Sequence, residues 1–115
     1  MMSSLLEWRG PQQSNEDIMR YLPDHLRGGE QRHWGHRAAF NYSYPQQLPQ
    51  ASQPILVLNN GDDLQRYTPR ALQYMRRGRL VERPDWGHGF LDRNTVEFAA
   101  IVRGFCDEVA PEAGA

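Results

Sequence analysis

The spacing of apolar positions changes halfway along this chain of 115 residues. In the first half the apolar residues are sparse and fall at helical intervals between Gln-, Arg- and His-rich stretches. Within "SNEDIMRYLPDHLRGG", Ser14 followed three residues later by Asp17 reads as a capping-box start. Pro23 is expected to interrupt that helix, and Gly28-Gly29 to end it. A second helical stretch follows, in which Trp34, Ala38, Ala39 and Tyr42 are spaced to form one apolar stripe. The eleven residues "YPQQLPQASQP", Tyr44 to Pro54, hold three prolines without periodicity and read as a loop.

The second half is denser. "PILVLNNGDD" is an unbroken aliphatic run closed by a turn-forming cluster, the pattern of a fully buried strand over Ile55 to Leu58 and a tight loop after it. Thr68-Pro69 supplies an N-cap and a first-turn proline for a helix through "RALQYMRR", with Gly78 placed to stop it. "RLVER" is a second strand, and "DWGHGFLDR" is a glycine-containing loop. Asn94 or Thr95 then caps a last helix whose Phe98, Ile101, Val102, Phe105 and Val109 form one apolar face, and "APEAGA" reads as a frayed tail. The organisation predicted is α/β: a helical segment over residues 1–50, then β-α-β-α over residues 51–115 with two parallel strands.

Composition narrows the possible partners. Thirteen basic residues against fourteen acidic ones leave a net charge of −1, which favours neither a nucleic acid nor an anionic membrane. No apolar run reaches membrane-spanning length, and "MMSSLLEWRG" lacks the features of a signal peptide, so a cytoplasmic location is the expectation. The single cysteine, Cys106, excludes an internal disulfide and fits a reducing compartment; its mostly apolar helical setting suggests core packing. No cofactor motif is present.

Candidate chemistry follows from the strand order. Loops leaving two adjacent parallel strands emerge at the same sheet edge, where open α/β sheets bind ligands. The first strand delivers Asp62 and Asp63 to that edge, and the second delivers Asp85 and His88. A carboxylate beside an imidazole fixes its tautomer and stabilises the imidazolium, leaving the other ring nitrogen to act as general base. The plainer alternative is that Asp62 caps its turn and His88 makes a loop hydrogen bond. Trp86 and Phe90, with Trp34 or Tyr42, are candidates to line an apolar substrate pocket.

The stretch "QPILVLNNGDD", followed by "RLVERPDWGHGFLD" and an amphipathic helix, resembles the C-terminal part of an α/β-hydrolase. The resemblance covers Pro54 to about Val109 and implies a partial α/β-hydrolase fold, with the family's acid after the next-to-last strand and its histidine after the last; the helical first half, residues 1–50, resembles the lid or cap region that precedes the acid-bearing strand in many members. Carried over by position, the histidine is His88, preceded by Gly87, and the acid is Asp63, with Asp62 as the alternative because Asn60 stands where the family has glycine. The implied chemistry is hydrolysis of a small acyl or ester substrate through a covalent intermediate.

One part of the family's machinery is missing. Its serine sits on a G-x-S-x-G elbow, and none of Ser3, Ser4, Ser14, Ser43 and Ser52 has flanking glycines. Cys106, mid-helix and downstream of the histidine, is no substitute. Two parallel strands also leave open edges. The expectation is therefore a C-terminal fragment or truncated member, inactive alone, that forms a homodimer or associates with a missing N-terminal half. A non-catalytic ligand-binding or homodimerising module is the alternative. His33 and His36 share a helix face, with His25 as a conceivable third ligand, but two histidines make a weak metal signal and no metal site is assigned.

Overall fold

A computed structural model of the chain describes residue 7, residues 9–11 and residues 13–113. The architecture is mixed α/β. Helix α1 spans Asn15–Arg27 and starts as its sequence demands: the Ser14 hydroxyl accepts from the Asp17 backbone N–H (3.2 Å), and the Asp17 carboxylate accepts from the Ser14 N–H (2.8 Å). Pro23 does not interrupt it. Both Pro23 and Met19, whose carbonyl loses its helical donor, are exposed, so the proline lies on the solvent side of the helix, which runs on to its cap at Gly28.

A 3-10 turn over Gly29–His33 leads into α2, Trp34–Asn41. The helix forms where its spacing places it, but its apolar stripe is not buried: every residue of α2 is exposed, Phe40 by 84%. The stretch 44–54 is not an open loop. It begins with α3, Tyr44–Gln47, and a 3-10 turn at Leu48–Gln50. Pro45 and Pro49 each lie in a first turn, where a missing N–H costs no bond, so residues that read as breakers act as starters.

Strand β1, Ile55–Asn60, runs two residues beyond the aliphatic run and pairs in parallel with β2, Gly78–Arg83, from Ile55 opposite Gly78 to Asn60 opposite Arg83. The connection contains a 3-10 helix, Thr68–Tyr74, in place of the expected α-helix. Thr68 does not cap it: its hydroxyl donates back to the Leu64 carbonyl (3.1 Å). Gly78 terminates no helix either, but opens β2, packed so closely on Leu72 and Met75 that a Cβ would come within 3.0 Å of both.

The strands are half-buried along most of their length, not fully buried as their composition suggested; only Asn59 is buried outright. The sheet has two strands among the described residues, so its aliphatic side chains are covered incompletely. One face carries α5, Thr95–Ala113. Phe98, Ile101, Val102, Phe105 and Val109 are half-buried while Glu97, Arg103, Asp107 and Glu108 are exposed, the stripe that their spacing predicted. A groove of about 290 Å³ remains between this helix and the sheet, floored by Leu56 and Val81 and walled by Ile101 and Phe105. Cys106 is exposed rather than in the core, because it points off the stripe. The helix also continues through Ala110 and Pro111 to Ala113, where a frayed tail was expected; residues 114–115 lie outside the described part. No helix among the described residues is long and apolar enough to cross a membrane.

Candidate functional site

Parallel pairing sends the segments after β1 and β2 out at one edge of the sheet, and a backbone bond ties them there, from the Gly61 N–H to the Trp86 carbonyl (2.6 Å). The two aspartates after β1 then divide. The Asp62 carboxylate accepts from the Leu64 N–H (2.9 Å) and closes its own turn. Asp63, one residue on, faces the other loop, with its Oδ1 3.6 Å from the His88 Nε2. Both side chains are accessible, His88 by 36% and Asp63 by 57%. The separation is that of an ion pair just longer than a hydrogen bond, and a closing movement of about half an ångström would make it one. The nitrogen facing the acid is Nε2, which leaves Nδ1 as the free position, the reverse of the usual Ser-His-Asp arrangement.

Trp86 and Phe90 are engaged in packing. Trp86 is 1% exposed, its ring stacked on Phe90 at 5.1 Å and 15°, and Phe90 in turn meets Phe98 of α5 edge-on at 5.7 Å. The Arg83 guanidinium lies 5.4 Å from the Trp86 ring centre. This aromatic column anchors both ends of the histidine loop to the body of the molecule. Trp34 and Tyr42, the other aromatic candidates, are more than half exposed.

The N-terminal part of the chain supplies contacts to this loop that no local pattern announced. Arg9 forms an isolated parallel backbone bridge with His88. Next to it, a Cβ on Gly10 would come within 2.9 Å of the Gly87 nitrogen. Gln13 is buried and bonds back to Gly10 twice, its side-chain Oε1 accepting from the Gly10 N–H (2.7 Å) and its N–H donating to the Gly10 carbonyl (3.0 Å). Past His88, Gly89 takes a left-handed conformation (φ 75°) and leads into the one-turn helix α4, Phe90–Arg93, which interrupts what reads as a loop.

Helix α1 grips that turn through charge. Arg93 donates to both carboxylate oxygens of Asp17, through Nη2 to Oδ1 and through Nε to Oδ2 (3.1 Å). These bonds, with that from Ser14, hold the Asp17 carboxyl down to about 2. Tyr21 donates its phenolic proton to Asp92, and burial, reinforced by that carboxylate, pushes the phenol up to about 12.

The remaining candidates stay apart. His33 lies in the 3-10 turn and His36 in α2, both exposed; the side chain of His25 lies outside the described residues. Among the described residues, no three His, Cys, Asp or Glu side chains gather as a metal site. Compared with protein families, curated proteins and solved structures, the chain finds no match.

Proposed function

We propose that this chain carries the acid-and-base half of an α/β-hydrolase-type ester or acyl hydrolase, with the nucleophile supplied from outside it. The observation that carries the reading is the 3.6 Å approach of Asp63 and His88 from the two loops that leave adjacent parallel strands. In this role His88 takes the proton of the attacking hydroxyl, and Asp63 orients the ring and stabilises the imidazolium. Asp62, occupied by its turn, shapes the loop that presents Asp63. The described residues hold no nucleophile elbow, so the isolated protein is nearly inactive.

The test is hydrolysis of a nitrophenyl ester by the wild type and by His88→Ala and Asp63→Asn. A small residual rate that falls in both variants supports the reading. Turnover that survives His88→Ala would sink the role given to this histidine, and no turnover in any of the three proteins would favour a non-catalytic module.

That second reading, a homodimerising module, is supported by β1 itself. Its sequence "ILVLNN" carries no charge and no proline, the devices that keep an open strand edge from pairing, whereas β2 carries Arg79, Glu82 and Arg83. The outer edge of β1 is thus suited to receive a strand from a second copy or from a nucleophile-bearing half.

A further inference from the structure

The contacts between residues 9–21 and residues 86–93 surround His88 on both sides along the chain. Before it, Gly87 is buried and packs on Gly10; at it, the backbone pairs with Arg9; after it, Gly89 sits against Gln13 and Tyr21. A Cβ on Gly89 would overlap the Gln13 amide nitrogen and the Tyr21 hydroxyl, so these two side chains define the space in which the chain makes its left-handed turn. Asp17 and Tyr21 then fix the following turn through Arg93 and Asp92. Asp63 contacts the histidine only through a 3.6 Å approach, which is too long to set the ring by itself.

We propose that the N-terminal segment, with Gln13 at its centre, is the positioning element for His88, holding the histidine loop at the height where the imidazole meets Asp63. The inference rests on the acid–base reading for its functional meaning, but its physical content is separate. Gln13 is the central positioning residue because it does two things at once: its Oε1 braces Gly10 against Gly87, and its Nε2, which has no hydrogen-bond partner among the described residues, lies against Gly89. One buried amide thus spans the backbone on either side of His88. Shortening it frees the loop to drift by a few tenths of an ångström, enough to change a contact that is already at the limit of hydrogen bonding.

The test reads the geometry of the pair and needs no turnover. In 15N-labelled protein, long-range proton–nitrogen spectra report the ring nitrogens of His88, and Asp63→Asn should shift them. The response to Asp63→Asn is expected to disappear in a Gln13→Ala background and in a Gly10→Val background. A control variant, Gly104→Ala, whose added methyl meets nothing within 4 Å, should keep it. Loss of melting temperature with the response intact would mean that Gln13 is merely structural, and would overturn the proposal. If Gly10→Val does not fold, Gln13→Ala and the isosteric Gln13→Glu decide, with amide dispersion as the check on folding. Absence of any response in the wild type would remove the Asp63–His88 pair itself, a failure of the acid–base reading that takes the positioning role with it.

Discussion

Asp17 does two jobs, closing the cap of α1 and binding Arg93 across the chain, and the ionised carboxylate is the stronger partner in both. Because its folded pKa of about 2 lies below the ordinary 3.8, the unfolded chain takes up the proton first as pH falls. The stability this group contributes is whole above 3.8 and is lost as pH drops through about 2. Asp17→Asn should therefore flatten the acid limb of a urea-midpoint-against-pH curve between those values. Tyr21 behaves in the opposite sense: with its phenol raised from 10 to about 12, the folded state holds the proton longer, so its contribution is full below pH 10 and disappears through about 12. Tyr21→Phe should remove that alkaline slope. Gly89→Ala combines a left-handed backbone with overlap onto Tyr21 and Gln13, and should lower the unfolding free energy by about 2 kcal/mol in urea titration. Of these residues only Asp17 was visible in the sequence, and only as a cap. The pairs Asp17–Arg93 and Tyr21–Asp92 are separated by 76 and 71 positions, and a local pattern carries no record of such distant partners. That Asp63 and His88 share an edge of the sheet is legible because each lies in the loop that leaves a strand, and parallel order fixes which loops emerge together.

Elements were read best where periodicity is long. Helix α5 offers about three turns of apolar spacing, from Phe98 to Val109, and every residue of that stripe is half-buried. Removing one of them measures the packing: Phe98→Ala, which strips the edge-on partner of Phe90, should cost about 2 kcal/mol of stability by thermal or urea unfolding, less than for a fully buried phenylalanine. Short elements depart from their sequence pattern because local bonding decides them. Pro45 and Pro49 start turns instead of breaking them, and Thr68 spends its hydroxyl on the Leu64 carbonyl instead of on a helix start. The burial of β1 was overestimated for a different reason. An aliphatic run shows that a strand can be covered on both faces, whereas coverage depends on neighbours that the strand's own sequence does not specify.

For the whole molecule, the surface is large for the mass. A compact monomer of 13.3 kDa exposes about 6,500 Å², and this chain exposes 8484 Å². Its radius of gyration, 16.3 Å, likewise exceeds the roughly 13 Å of a compact domain of this length. Among the described residues the only fully buried apolar side chains are Ile18 and Trp86, while α2 presents Trp34 and Phe40 to solvent. A homodimer of ordinary interface size would remove about 800 Å² per chain. Size-exclusion chromatography with light scattering should accordingly show a dimer at micromolar concentration; a monomer with a cooperative melt would count against open strand edges as association sites. The long-range grip of α1 on the histidine loop bears on how the molecule assembles during synthesis. Asp17 and Tyr21 leave the ribosome some seventy residues ahead of Arg93 and Asp92, so the cap of α1 can form early while its charged partners do not yet exist. Closing that span is among the slower, entropically costly steps available to the chain. The approach of Asp63 to His88 is therefore expected to be among the last contacts to settle, because Arg93 and Asp92 must be in place before α1 can hold the histidine loop.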